Sequence, residues 1–102
     1  RIDSISKVGG KRVDLEELQA KIRGEEGVRD CLVLSLPEAG GRGHRIVAVV
    51  EGDLVDLERL RQRLRTQCEP YALPRVIKQV ARIPVKENGK YDRDEILRLF
   101  AP

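Results

Sequence analysis

Apolar side chains recur along this chain at two different spacings, and the changes between them mark out its elements. Leu15, Leu18 and Ile22 fall on one face of a helix, and the same spacing returns at Leu57, Leu60 and Leu64. Asp14 stands before the first set with Glu17 three residues on, as in a capping box, and Asp56 stands before the second. The first helix is therefore expected over about residues 15–23, closed by Gly24 or, if it runs longer, by Gly27. Val28 to Leu36 contains the run Cys31-Leu32-Val33-Leu34 and ends at Pro37 and the turn Gly40-Gly41-Arg42-Gly43, after which Arg45 to Val50 rises again. That pattern predicts an antiparallel hairpin.

At the start, a loose alternation of Ile2, Ser4, Ile5 and Val8 breaks at Gly9-Gly10 and resumes with Lys11-Arg12-Val13, which suits two short strands around a glycine turn. Later, Glu69-Pro70-Tyr71-Ala72-Leu73-Pro74 reads as an ordered, non-helical connection, because each proline pushes its predecessor toward extended geometry. A strand from Arg75 to Val80 follows, then a loop opened by Pro84. A last amphipathic helix, entered at Asp92 or Arg93, carries Ile96, Leu97 and Phe100. The order is a short hairpin and then α-β-β-α-β-loop-α, an α+β domain with a small sheet of about three strands covered by helices.

Length sharpens this picture. A chain of 102 residues can bury one modest core but is too short to enclose a nucleotide and a second substrate unaided. It has no methionine and starts at Arg1, so it is expected to be a piece of a longer protein. The longest apolar runs are strand-sized, well short of the ~20 residues of a membrane span, and no targeting peptide is visible.

Twenty basic and seventeen acidic side chains are mixed along the chain for a net charge of +3, unlike a one-signed nucleic-acid tail. Only Tyr71, Tyr91 and Phe100 could stack on bases, so nucleic acid is not the expected partner. Arg59, Arg61, Arg63 and Arg65 read as a solvated helix face. Cys31, Cys68 and His44 lack the paired spacing of a zinc site. The cysteines read as free, packed thiols of a cytoplasmic protein, and His44 as an exposed loop residue.

The candidate chemistry lies in Lys86-Glu87-Asn88-Gly89-Lys90-Tyr91-Asp92-Arg93. Gly89 permits positive φ and Asn88 tolerates it, so the loop can be tight and project Lys90 outward on a short, preformed stalk. A fixed cation of that kind suits a reaction that moves negative charge between a carboxylate and a phosphate. By itself, however, Asn-Gly-Lys is also an ordinary exposed turn.

The wider constellation adds to this. Arg1-x-Asp3, then Lys7-Val8-Gly9-Gly10-Lys11-Arg12-Val13, then Leu15-Glu16-Glu17, Tyr71-Ala72-Leu73-Pro74 and finally Pro84-x-x-x-Asn88-Gly89-Lys90-x-Asp92-Arg93 occur in one order across the whole chain. Together they resemble the C-terminal signatures of the adenylate-forming enzymes, which include acyl-CoA synthetases, luciferase-type enzymes and the adenylation domains of nonribosomal peptide synthetases.

The resemblance implies that residues 1–102 form a single C-terminal lid domain of a larger enzyme, with a hinge near residues 1–4. The activity it implies is a two-step ligation: ATP and a carboxylic acid give acyl-AMP, and the thiol of CoA or of a carrier protein's phosphopantetheine then displaces AMP. ATP and Mg2+ would be bound mainly by the protein's own large N-terminal domain. Lys90 matches the lysine that contacts the carboxylate and phosphate during adenylation, with Asn88 and Gly89 supporting its loop. Asp3 matches the hinge residue, and Gly9 and Gly10 the glycines that leave room for a pantetheine arm. Lys7 matches a second active-site lysine in some members, and Arg12 a basic position that meets CoA phosphates.

Two departures bear on the domain edge: no glycine precedes Arg1, and Ser4 stands where a second acid is common. Within the family the Asn-Gly-Lys-x-Asp-Arg form leans toward peptide-synthetase domains, whereas Gly9-Gly10 and the Pro74-Arg75 junction lean toward acyl-CoA synthetases, the preferred expectation. A rival of another class is a non-catalytic α+β binding module of the same architecture. Asp3 bonding a neighbouring amide, Gly9-Gly10 merely closing a hairpin, and Lys7, Lys11 and Arg12 being solvated are the structural alternatives for the remaining positions.

Overall fold

The computed structural model describes residues 5–8, 11–37 and 44–100. Strands β1 (Ile5–Val8) and β2 (Lys11–Asp14) pair antiparallel, with Lys7 opposite Arg12. Helix α1 (Leu15–Arg23) follows directly. Its cap, Asp14, accepts hydrogen bonds from the amides of Glu16 and Glu17 at 3.0 and 3.2 Å, satisfying two donors that the first turn leaves unpaired. The capping box is only half formed, because the Glu17 carboxylate pairs instead with Lys21 one turn on, at 3.4 Å. Helix α1 stops at Gly24, which keeps a right-handed φ of −76°, while the positive φ falls at Gly27.

Strand β3 (Asp30–Pro37) pairs antiparallel with β4 (His44–Glu51), and β5 (Val76–Val80) adds to β4 in parallel, giving the order β3-β4-β5. Helix α2 (Leu57–Gln67), capped by Asp56 on the Arg59 amide, makes the crossover that a parallel neighbour requires. Arg59, Arg63 and Arg65 are exposed as expected while Arg61 is half-buried, and Arg63 pairs with Glu25.

The segment expected to be non-helical contains one turn of 3-10 helix, Pro70–Ala72. Proline is tolerated there because its missing N–H would have been unpaired at a helix start, while Glu69 and Leu73, each before a proline, keep the extended ψ of 148° and 138°. Exposed His44 opens β4 rather than lying in a loop. Helix α3 (Arg93–Arg98) is capped by Asp92 on the Glu95 amide, and Phe100 lies just beyond it.

Central strand β4 is buried on both faces, from Ile46 to Val50. Successive side chains of a strand point to opposite faces, and two cores follow from that alternation. Ile46, Ala48 and Val50 join Cys31, Val33 and Ile77 against Val13 and against Leu15, Leu18 and Ile22 of α1 and Leu60 and Leu64 of α2. Val47 and Val49 join Leu34 against Ile83, Ile96 and Phe100, with Leu32, Val76, Val80 and Tyr91 at the rim. The helices α1 and α2 thus cover one face of the sheet, and α3 with the Lys90 loop covers the other.

Gly52 turns the chain away from β4 at a point where backbones nearly touch. A Cβ there would overlap the Gly27 carbonyl oxygen and lie 2.7 Å from Val55 Cγ2. Glycine is required by space in this position, whatever its dihedral angles.

Candidate functional site

The loop that carries Lys90 is braced at both ends. At its start Ile83 is fully buried in the second core, and its amide donates to Glu51 Oε1 at 2.8 Å, tying the strap after β5 to the end of β4. At its end Tyr91 pairs across an isolated antiparallel bridge with Val85, the Asp92 amide donates to the Pro84 carbonyl at 3.0 Å, and α3 plants Ile96 in the same core.

The tip is a tight turn. The Gly89 amide donates to the Lys86 carbonyl at 2.9 Å, and the Lys86 amide to the Lys90 carbonyl at 2.7 Å. Gly89 has φ +83°, the left-handed geometry expected for it, and no atom would meet a Cβ there within 4 Å. Its glycine is thus a matter of backbone energy and not of space. Asn88 tolerates positive φ but does not use it here, since positive φ is confined to glycines among the described residues. It supports the loop through its side chain, whose Oδ1 accepts the Lys90 amide at 3.1 Å. Both backbone polar groups of Lys90 are therefore occupied, while its side chain is exposed and forms no ion pair among the described residues.

Sequence reasoning missed what lies behind the loop. The Tyr91 hydroxyl donates to Asp30 Oδ2 at 2.7 Å, and Asp30 Oδ1 accepts Arg23 Nε at 3.0 Å and the Cys31 amide at 2.8 Å. Arg23 Nη2 also lies 3.4 Å from the Tyr91 oxygen. Partial burial pushes the Asp30 carboxyl upward, but the Tyr91 hydroxyl, the Cys31 amide and the Arg23 guanidinium outweigh it and hold it below the usual carboxylate range. Burial, and then the Asp30 carboxylate beside it, push the Tyr91 phenol up. A charged residue at the end of a helix and another at the start of a strand were the only signals, and neither points to Tyr91.

The other predicted positions lie elsewhere. Arg12, exposed on β2, lines a surface groove of about 550 Å³ with Glu17 and Lys21 of α1, Thr66 in the last turn of α2, and Cys68 and Tyr71 beyond α2. Lys7 is paired with Arg12 through the β1–β2 ladder. Asp3, Gly9 and Gly10 lie outside the described residues, as does the tip of the β3–β4 hairpin. The structure thus brings Asn88, Gly89 and Lys90 together in one loop, and places Arg12 in the layer across the sheet from it.

No group of three or more His, Cys, Asp or Glu side chains that could hold a metal ion is found among the described residues. No helix among them is long and apolar enough to cross a membrane. Both cysteines are free, and burial pushes the Cys31 thiol up to about 12.

These features define a class: a small α+β domain that offers one braced, outward cation on one layer and, on the opposite layer, a groove of mixed charge lined by Arg12 and Lys21 beside Asp14, Glu17 and Glu69. The chain belongs to the AMP-binding enzyme C-terminal domain family, which it matches over residues 15–90. It is 33% identical over 101 residues to a D-alanine--D-alanyl carrier protein ligase of Staphylococcus epidermidis, covering 94% of this chain and 21% of that protein. It is 30% identical over 93 residues to tyrocidine synthase 3 of Brevibacillus parabrevis, covering 91% of this chain and 1% of that protein. Among solved structures it superposes on the amide bond synthetase McbA of Marinactinospora thermotolerans with a TM-score of 0.79 at 26% identity, over 99% of this chain and 21% of that one. The chain therefore spans about a fifth or less of these proteins, and the α+β fold expected from its sequence is the one it shares with that solved structure.

Proposed function

We propose that this domain is the mobile C-terminal lid of an AMP-forming acid–thiol ligase, in which Lys90 serves adenylate formation. The observation that carries the reading is the construction of the Lys90 loop: a cation with both backbone groups hydrogen-bonded, on a turn braced at both stems, in a chain of this family. Fixed positive charge stabilises an oxyanion without reorganising during the reaction, which suits attack of a carboxylate on the α-phosphate of ATP. Exposure of the lysine suits a role inside a cleft built by the protein's own N-terminal domain, with ATP and any magnesium held mainly there.

The second half-reaction is assigned to the opposite layer. Rotation about a hinge near residues 1–4, at Asp3, would withdraw Lys90 and bring up the β1–β2 hairpin, with Gly9 and Gly10 leaving space for a pantetheine arm. Lys7 would act in that orientation, and Arg12 would meet phosphate. That Val13 packs into one core, and Ile83 and Tyr91 into the other, supports the alternation, since one partner can face only one side at a time. The isolated lid would then be catalytically silent. Free cysteines support a cytoplasmic setting.

The acceptor is the thiol of CoA in the favoured reading. The similarity to a protein named for its carrier-protein partner favours a second, in which a carrier's phosphopantetheine takes the acyl group. In the full-length protein, Lys90→Ala should lower adenylation by roughly two to three orders of magnitude and spare thioester formation from supplied acyl-adenylate. Pyrophosphate exchange measures the first and thioester release the second. Equal loss in both would refute the division of roles, and undiminished exchange would remove Lys90 from the mechanism.

A further inference from the structure

We propose that Tyr91 is a positioning residue for Lys90, acting through a latch onto Asp30 and Arg23; the inference rests on the adenylation role proposed above. The loop's own hydrogen bonds fix its shape but not its aim. Asn88 to Lys90, Lys86 to Lys90, Gly89 to Lys86 and Asp92 to Pro84 all close within the loop, so they would survive a rocking of the whole turn. The residue next to the lysine opposes that motion from outside. Tyr91 reaches 61 positions back along the chain to Asp30, the first residue of β3, with its hydroxyl 2.7 Å from the carboxylate.

The latch is rigid because its acceptor is already committed. Asp30 Oδ1 is held by the Cys31 amide at 2.8 Å and by Arg23 at 3.0 Å, leaving Oδ2 directed at the phenol. Arg23 is the last residue of α1, so the latch crosses the edge of the sheet and joins the Lys90 loop to the layer on the other face. A phenylalanine would fill the same rim of the second core, so packing alone does not call for a hydroxyl here. A bond to an ionised acceptor is about twice as strong as a neutral one, and a misplacement of ~1 Å at a reacting group can cost up to ~100-fold in rate. Loss of the hydroxyl should therefore show in the step that uses Lys90.

The test uses the full-length protein and the acid that gives the fastest pyrophosphate exchange in a panel of aliphatic, aromatic and amino acids. Tyr91→Phe should lower the kcat of exchange about tenfold with little change in the KM for ATP. Thioester formation from that acid's supplied adenylate, with pantetheine as acceptor, should be unchanged. In a Lys90→Ala background Tyr91→Phe should add no further loss, because a positioning residue has nothing left to position. Asp30→Asn keeps the ring and should follow the same split, which supplies the reading if Tyr91→Phe yields no folded protein.

A normal kcat in Tyr91→Phe beside an impaired Lys90→Ala would overturn the latch and leave the function standing. Loss in both half-reactions, or a full additional loss on top of Lys90→Ala, would likewise overturn it. An unimpaired Lys90→Ala would instead remove the adenylation reading on which the latch depends.

Discussion

The contact between Gly52 and Gly27 allows a sharp test of the packing, because one chemical change at two glycines should give opposite results. A Cβ at Gly52 overlaps the Gly27 carbonyl oxygen and sits 2.7 Å from Val55 Cγ2, and neither neighbour is the free end of a flexible chain. Relief requires the two backbones to part. The bonds at risk are Arg29 amide to Glu51 carbonyl at 2.8 Å, Gly52 amide to Val80 carbonyl at 3.1 Å, and Gln79 Nε2 to Gly52 carbonyl at 2.9 Å. Overpacking costs about 1–3 kcal/mol and each weakened hydrogen bond about 1 kcal/mol, so Gly52→Ala should destabilise the fold by about 2–4 kcal/mol. At a urea slope of about 1 kcal/mol per molar, the unfolding midpoint followed by far-UV circular dichroism should fall by roughly 2 M or more. Gly24 is the control, for its φ of −76° suits alanine and a Cβ would meet nothing nearer than 3.6 Å. Gly24→Ala should stay within about 0.5 kcal/mol of the parent or be slightly more stable. A Gly52→Ala protein as stable as the parent would refute the reasoning. So would equal losses at both sites, since the cost would then belong to glycine itself and not to this contact.

Two further outcomes follow from the titratable groups. Asp30 is held below its unfolded value, so it contributes stability that is fully present above the ordinary carboxylate pKa and is lost as pH falls through the folded one. In acid titrations, the stability gap between parent and Asp30→Asn should be constant near neutrality and shrink below ~pH 4; a gap that widens toward acid would reverse the assignment. With its thiol raised to about 12 and its side chain buried, Cys31 should resist iodoacetamide at pH 8 until the protein unfolds. Cys68, less buried and raised chiefly by burial, should react first, as mass spectrometry of timed samples would show.

What could be read from the sequence was whatever a few neighbouring residues decide together. Leu15, Leu18 and Ile22 are all buried as their spacing requires, and Leu60 and Leu64 likewise, because helical periodicity is a local property. The caps at Asp14 and Asp56 follow for the same reason, while the entry left open between Asp92 and Arg93 falls at Asp92. The parallel seating of β5 on β4 could not be read, since a strand's own residues do not name its neighbour. The loop turn was anticipated at Gly89, but Asn88 serves through its amide oxygen and not its backbone, two uses of one residue that look alike in a sequence. Tyr91 was the larger omission. Its partners are 61 and 68 positions away, and a lone tyrosine after a lysine gives no hint of either.

Strand β4 gives the two layers a common wall, and that has a mechanical meaning. Residues Ile46 to Val50 support α1 and α2 with alternate side chains and the Lys90 loop with the others, so neither layer can slide without unpacking its neighbour. A change of orientation in the full-length protein would therefore swing the domain like a door on its frame, with no rearrangement of panels. If the domain alternates as proposed above, the free energy of switching would be set by what the two outer faces leave and meet, and substitutions on those faces would shift that balance without touching the interior that makes them one body.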